Sequence, residues 1–241
     1  KLMTQTNTLA RFSQNRSTRF IFSLILLVLL AGCGQGKSAK TELSKSINLA
    51  TGLIEGTHYA ILEDPWPAQN GIVTVKEFFW YGCPHCESFE PTLHRWQKNL
   101  PAEVSLEQVP AVWAKLMDLH AKAFFIAQSM QAKEAVHADL FKTITALRSD
   151  PSMQKHQVEL EKLFIKHGLP AEAFQEQLND DDLKARLKNA KVTMKRSGAT
   201  STPTLMVNGR YLVLNTTAKS HKDITNIADK LIALELENIN Q

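Results

Sequence analysis

Residues Gly71–Glu90 read GIVTVKEFFWYGCPHCESFE and carry the strongest structural signal in this 241-residue chain. The run up to Phe79 is rich in β-branched and aromatic side chains, which predicts a strand. Beyond Cys83, apolar residues recur at spacings of three and four, which predicts a helix. The sequence therefore predicts that the CPHC motif, Cys83–Cys86, lies where this strand passes into this helix.

The predicted position of the motif indicates its chemistry. A helix N-terminus presents unpaired N–H groups and the positive end of the helix dipole, so a thiolate at Cys83 is stabilised and its pKa falls below about 8.5. We predict Cys83 as the exposed nucleophile and Cys86, about one turn further on and more buried, as the resolving thiol. Pro84 and His85 stand between them and are predicted to tune the equilibrium. His85 would do so through its charge or a hydrogen bond to the Cys83 sulfur, either of which favours the reduced state.

Further strand patterns occur on both sides of the motif. These strands are predicted at Thr57–Leu62, Val104–Val109, Thr204–Val207 and Tyr211–Leu214. The Asn208-Gly209 pair is a strong hairpin signal and predicts that the last two strands are antiparallel neighbours.

Helical patterns fill most of the remaining chain. Residues 114–196 show roughly five apolar stripes at helical spacing, and residues 220–237 show one more. This order predicts one α/β sheet domain, built from residues 56–113 and 197–241, which is interrupted by an inserted helical domain of residues 114–196.

The N-terminal region predicts export from the cytoplasm. Residues 1–19 contain three arginines and no acidic residue, and an apolar run follows them. This pattern predicts a secretory signal over residues 1–32. The four residues LAGC that end at Cys33 resemble the lipobox of bacterial lipoproteins, which implies a lipid on Cys33 and a tether and lead-in over residues 33–55. Ordinary signal cleavage nearby, which releases a soluble protein, remains the alternative.

Charge and cysteine counts narrow the function. The predicted signal carries four of the 28 basic residues and none of the 24 acidic ones, so the rest of the chain has no formal net charge. The basic excess therefore gives no support for nucleic-acid binding. With Cys33 lipidated or removed, only Cys83 and Cys86 remain of the three cysteines, and they close too short a loop to stabilise the fold much. The pair is predicted to act chemically.

A C-x-x-C motif can also attach haem or bind zinc or copper. A c-type haem requires a histidine directly after the second cysteine, and Glu87 occupies that position. A structural zinc site commonly uses two such pairs, and the sequence has one. Two thiols and a histidine can bind Cu(I), so a thioredoxin-like copper carrier remains an alternative. The sequence predicts no cofactor and no resident metal.

The segment Glu77–Glu90 closely resembles the DsbA family of periplasmic dithiol oxidases, because CPHC follows an EFF strand there. The resemblance extends over roughly residues 55–237. It implies a thioredoxin-like α/β fold with an inserted helical domain. It also implies a strongly lowered pKa at Cys83 and an oxidising reduction potential.

The resemblance implies roles for four further residues. In the family a cis proline faces the active disulfide and the preceding residue pairs with the substrate backbone; Pro203 and Thr202 match these positions. Thr202 departs from the valine common in the best-known members. Glu77 and Glu90 match buried acids beneath the cysteines. This placement would let Glu77 take a proton from Cys86 during exchange.

The sequence thus predicts an enzyme, a thiol:disulfide oxidoreductase. We expect it to donate the Cys83–Cys86 disulfide to reduced, newly secreted proteins through a mixed disulfide. The resemblance implies reoxidation by a DsbB-like membrane partner. Trp80, Tyr81 and the Pro203 loop are predicted to offer a binding surface for extended peptides.

The predicted location is the periplasm, with membrane attachment only through a lipid on Cys33. We predict a monomer, because the sequence has no evident dimerisation domain. A reductase or isomerase of the same fold remains an alternative. A glutathione-transferase-like enzyme is a further one, although such enzymes usually replace the second cysteine and Cys86 is present here.

Overall fold

The computed structural model describes residues 47–239, except for residues 49, 68–70 and 132. The predicted signal of residues 1–32, Cys33 and most of the predicted tether lie outside the described residues. The described part of the chain belongs to one compact unit. None of its helices is both long and apolar enough to cross a membrane.

The strands form a two-stranded ribbon and a five-stranded sheet. In chain order they are β1 (Ile47–Asn48), β2 (Leu53–Ile54), β3 (Tyr59–Ile61), β4 (Val73–Phe79), β5 (Val104–Pro110), β6 (Thr204–Val207) and β7 (Tyr211–Val213). The ribbon pairs β1 with β2, and the sheet has the order β3-β7-β6-β4-β5. Strands β4 and β5 are parallel, and the other neighbours in the sheet are antiparallel.

The interior strand β4 places the motif at the C-terminal end of the two parallel strands. It has neighbours on both sides and buries six of its seven side chains, which fits its run of β-branched and aromatic residues. Phe79, its last residue, pairs with Pro110, the last residue of the parallel strand β5. The segments that follow these two strands, Trp80–Cys83 and Ala111–Trp113, therefore emerge side by side.

Seven helices complete the described chain. They are α1 (Pro84–Gln97), α2 (Lys115–Gln128), α3 (Lys133–Leu147), α4 (Met153–Lys166), α5 (Ala171–Leu178), α6 (Asp181–Ser197) and α7 (His221–Ile239). Five of them, α2 to α6, lie between β5 and β6, where the sequence predicts the helical insertion. The structure thus confirms an α/β fold with inserted helices.

The predicted hairpin between β6 and β7 is present. Asn208 and Gly209 both have positive φ angles, 50° and 60°, as a tight two-residue turn between twisted strands requires. The short ribbon β1–β2 lies within the segment predicted as tether and lead-in, where Leu53 is buried against the sheet.

Two of the three hydrophobic clusters in the described core meet at the motif. One cluster is formed mainly by the inserted helices and includes Phe79, Tyr81 and Cys86. The other is formed by the sheet together with α1 and α7, and it includes Phe89. Helix α1 therefore packs into both clusters within its first two turns, which fixes the orientation of the CPHC motif.

Candidate active site

The CPHC motif lies at the strand-to-helix transition, as the sequence predicts. Cys83 is the N-cap of α1 and has an extended backbone, with φ −96° and ψ 111°. Pro84 occupies the first helical position, where its missing N–H costs no hydrogen bond. The Cys83 N–H donates to the Trp80 carbonyl at 2.9 Å, which closes the turn between β4 and α1.

Cys83 is the more exposed of the two free thiols, and its environment stabilises a negative charge. Its pKa is lowered to about 5, chiefly because the Cys86 thiol donates a hydrogen bond to its sulfur. Burial opposes this effect, and the Thr202 side chain together with the N–H groups of Cys86 and His85 adds to it. The helix start predicted from sequence thus supplies two of the donors, and the second thiol supplies the largest contribution.

Cys86 lies in the opposite environment. Its side chain is fully buried. Burial raises its pKa strongly, and the hydrogen bond to Cys83 and the charge on Cys83 act in the same direction. Cys86 therefore keeps its proton at neutral pH while Cys83 does not.

The two residues between the cysteines are both exposed. His85 acts on the Cys83 sulfur through its backbone N–H. Tuning by its imidazole ring stays a prediction, as does the contribution of Pro84 to the equilibrium.

Two acids lie beneath the cysteines, and Gln108 joins them. Glu77, on β4, is fully buried as the resemblance implies, whereas Glu90 is only half-buried. Gln108 is the register partner of Glu77 on β5. The Gln108 Nε2 group donates to Glu77 Oε2 at 2.8 Å and to Glu90 Oε1 at 3.0 Å. Burial, and then the charge of Glu90, raise the pKa of Glu77 to about 8. At neutral pH Glu77 is therefore mostly protonated.

Glu90 connects this pair to the inserted helices. Its Oε2 atom lies 3.3 Å from His137 Nε2, and the other His137 nitrogen, Nδ1, lies 2.6 Å from the Tyr81 hydroxyl. Burial raises the pKa of Tyr81, so the phenol keeps its proton and can donate to His137. These contacts join the start of α1, the end of β4 and helix α3.

A cavity of about 890 Å³ reaches this group of side chains. Glu90, Gln108 and His137 line it, and Phe124 and Phe141 are among its apolar lining residues. The polar groups beneath the cysteines are thus within reach of solvent.

The loop before β6 faces Cys83. The Thr202–Pro203 peptide bond is cis, as the family resemblance implies. The Cys83 Sγ atom lies 3.5 Å from the Thr202 carbonyl oxygen. Asn215, in a short 3₁₀ helix after β7, donates its side-chain N–H to the Pro203 carbonyl. The structure therefore brings Cys83, Thr202 and Pro203 together; pairing of Thr202 with a substrate stays a prediction.

Gln108, His137 and Asn215 are site residues that the sequence analysis did not predict. Gln108 stands in a predicted strand, and a parallel register with β4 would have placed it opposite Glu77. His137 and Asn215 lie in segments whose sequence gives no local signal of proximity to the motif. Their positions depend on tertiary packing.

Sequence comparison finds relatives whose names describe thiol:disulfide exchange. A family model described as Thioredoxin matches residues 68–229. A thiol:disulfide interchange protein DsbA from Azotobacter vinelandii is 30% identical over 216 residues, covering 88% of this chain and 97% of that protein. The protein of the same name from Pseudomonas aeruginosa is 32% identical over 181 residues, covering 75% of this chain and 84% of that protein.

Comparison with solved structures finds DsbA proteins whose folds match this chain. The crystal structure of Pseudomonas aeruginosa DsbA matches with a TM-score of 0.69 at 30% identity, over 77% of this chain and 96% of that chain. The crystal structure of the oxidoreductase DsbA from Xylella fastidiosa matches with a TM-score of 0.68 at 29% identity, over 76% of this chain and 97% of that chain.

Proposed function

The chain belongs to the DsbA family of thiol:disulfide oxidoreductases, and from this premise we propose that it is a periplasmic dithiol oxidase that donates the Cys83–Cys86 disulfide to reduced proteins. The observation that carries the proposal is the contrast between the two sulfurs. The pKa of Cys83 is lowered to about 5, and burial raises the pKa of Cys86. Stabilising the reduced site in this way drives the disulfide toward a substrate.

The proposed first step forms a mixed disulfide. A substrate thiolate attacks the Cys83 sulfur of the oxidised site, a sulfur–sulfur bond forms between substrate and Cys83, and the Cys83–Cys86 bond breaks. Cys86 leaves with the electron pair and takes up a proton. Attack at Cys83 is favoured over attack at Cys86 because Cys83 is partly exposed and Cys86 is fully buried.

The second step releases the oxidised substrate. A second substrate thiolate attacks the substrate sulfur of the mixed disulfide, and Cys83 leaves as a thiolate. A thiol of low pKa is a good leaving group, so the lowered pKa of Cys83 favours this step. The substrate loses two electrons, and the enzyme ends as a dithiol.

Glu77 is suited to supply the proton for Cys86. Its pKa of about 8 leaves it mostly protonated at neutral pH, and it lies close enough to Cys86 for its ionised form to raise the pKa of that thiol. The cavity beside Glu90, Gln108 and His137 lets this buried group exchange protons with solvent. We assign Glu77 the role of proton donor in this direction and proton acceptor during reoxidation.

The proposed substrate-binding surface surrounds Cys83 at the C-terminal end of β4. The Thr202–Pro203 loop lies on one side of the sulfur. Trp113, which follows β5 at the same end of the sheet, is 49% exposed. We propose that an extended, unfolded chain binds here, with its backbone beside Thr202 and apolar side chains against Trp80 and Trp113. The prediction that Tyr81 belongs to this surface is wrong, because its side chain is 1% exposed.

The remaining assignments rest on the sequence. The signal over residues 1–32 supports a periplasmic location, and the lipobox supports a lipid on Cys33 that holds the enzyme at the membrane. We propose that newly secreted proteins are the substrates, that a DsbB-like membrane protein restores the disulfide, and that the enzyme acts as a monomer.

The function is tested by mixing the oxidised protein with a reduced peptide that contains two cysteines, with oxidised glutathione present to restore the Cys83–Cys86 disulfide after each cycle. We expect catalytic formation of the peptide disulfide. Cys83→Ser should abolish it, whereas reduced Cys86→Ser, mixed with the disulfide form of the peptide, should form a mixed disulfide through Cys83 that mass spectrometry detects. Turnover that persists in Cys83→Ser would contradict the assigned nucleophile. Stoichiometric Cu(I) binding that protects both thiols, without peptide oxidation, would instead indicate a metal carrier.

A further inference from the structure

Three side chains form a hydrogen-bonded row that runs from the redox motif into the inserted helices. Trp80 Nε1 donates to His120 Nδ1 at 3.0 Å, and His120 Nε2 lies 3.0 Å from His156 Nδ1. His156 Nε2 lies 3.0 Å from the Asp150 carbonyl oxygen. Both histidines are almost completely inaccessible to solvent, with exposures of 1% and 0%.

The chemistry of the two ends fixes every proton in this row. An indole N–H can only donate, so His120 Nδ1 must accept and its hydrogen must sit on Nε2. His156 Nδ1 then accepts from His120, and the His156 hydrogen sits on Nε2 and points to the Asp150 carbonyl. Both imidazoles are therefore neutral and fully hydrogen-bonded. Burial, with the neighbouring His156, lowers the pKa of His120 to about 3, which agrees with a neutral ring.

Trp80 contacts Cys83, Cys86 and the neighbouring Gly82. Its backbone carbonyl accepts the Cys83 N–H at 2.9 Å, and its backbone N–H donates to the Cys86 sulfur. Its ring lies against Gly82, where an added Cβ would be 2.3 Å from Trp80 Cζ2. Because the backbone of Trp80 binds the Cys83 N–H and the Cys86 sulfur, a movement of Trp80 would change the positions of both cysteines.

We propose that His120 and His156 are positioning residues of the redox centre. Through the Trp80 ring they fix the peptide units that hold Cys83 and Cys86, and so they maintain the hydrogen bond between the two thiols. The proposal rests on the proposed function only for its role in exchange. The geometry it describes is tested on the sulfurs themselves.

The test compares two substitutions at one residue. His156→Leu leaves the His120 Nε2–H without an acceptor, whereas His156→Asn keeps an acceptor oxygen near the position of Nδ1. The Cys83 thiolate is titrated by its ultraviolet absorbance in the reduced protein, and the dithiol–disulfide equilibrium is measured in glutathione buffers. We expect His156→Leu to raise the Cys83 titration midpoint by about 0.5–1 unit and to shift the equilibrium about three- to tenfold toward the disulfide. His156→Asn should stay near the wild type.

A matched control separates positioning from general loosening. His167 belongs to the same set of helices, is 14% exposed and pairs with Asp139 at 3.0 Å, but it takes no part in the row. His167→Gln should lower the stability toward urea without moving the thiolate midpoint. An equal shift in His167→Gln and His156→Leu would overturn the proposal.

A second variant covers the case in which His156→Leu does not fold. Trp80→Phe removes the donor at the other end of the row, and it should give a shift in the same direction and range. A folded His156→Leu or Trp80→Phe protein with the wild-type midpoint and equilibrium would contradict the proposal. Because both readouts concern the enzyme's own sulfurs, they stand even if the wild type fails to oxidise the peptide.

Discussion

The rim and the floor of this site are joined by the hydrogen bond between Cys83 and Cys86, and they treat a negative charge in opposite ways. By the rim we mean Cys83, Thr202 and the start of α1; by the floor we mean Cys86, Glu77, Glu90 and Gln108. At the rim, hydrogen-bond donors outweigh burial and the pKa of Cys83 falls to about 5. At the floor, burial dominates, and it raises the pKa of Cys86 and that of Glu77, the latter to about 8.

This contrast teaches that the direction of the chemistry is set by environment, since both sulfurs belong to the same residue type. The rim accepts charge, and the floor retains protons. A dithiol in this site is therefore a thiolate outside and a thiol inside. This arrangement stabilises the reduced site relative to its disulfide, so the disulfide is expected to pass to other proteins.

The largest effect is expected from removing the floor carboxyl. The pKa of Glu77 is about 8 in the folded protein and ordinarily 4.5. Between these values the folded protein binds a proton that the unfolded chain has released, so stability falls as pH rises, by at most about 1.4 kcal/mol per pH unit. Glu77→Gln should lose this slope. At pH 7 it should exceed the wild type in stability by about 1–3 kcal/mol, measured by urea unfolding of the disulfide form.

The control for this variant is Glu107→Gln, because Glu107 adjoins Gln108 on β5 but is exposed and pairs with Lys76. It should keep the wild-type dependence on pH. A Glu77→Gln protein with an unchanged slope would mean that Glu77 ionises normally and that the floor does not exclude charge.

A smaller effect is expected at the rim. The Thr202 side chain hydrogen-bonds the Cys83 sulfur and helps to lower its pKa. Thr202→Val removes the hydroxyl at nearly constant volume, so the thiolate midpoint should rise by about half a unit. Thr204→Val is the matched control, because the Thr204 hydroxyl donates to the Ser201 carbonyl. A midpoint that shifts equally in both variants would show that Thr202 acts only through the shape of the loop.

Local patterns in the sequence were sufficient for much of this architecture. The apolar run before Phe79 predicts β4, and Asn208-Gly209 predicts the turn that the positive φ angles confirm. The CPHC motif predicts a thiolate at a helix start. In each case the signal and the structure lie within a few consecutive residues.

The rest depends on contacts between distant segments. Gln108 is 31 residues from Glu77 and 18 from Glu90, and only the register of β4 with β5 brings it between them. His120 and His156 are 36 residues apart and meet because α2 packs against α4. The ribbon β1–β2 has two residues in each strand, too few to show a periodic pattern.

The most direct test of the contrast between rim and floor is the equilibrium of the Cys83–Cys86 pair with glutathione. A pKa of about 5 at Cys83 is about two units below that of the thioredoxin nucleophile, and each unit corresponds to about 30 mV. We therefore predict a potential at least about 60 mV more positive than the value of about −270 mV for thioredoxin. A potential at or below that value would mean that the site favours its disulfide, and it would contradict the assignment as an oxidase.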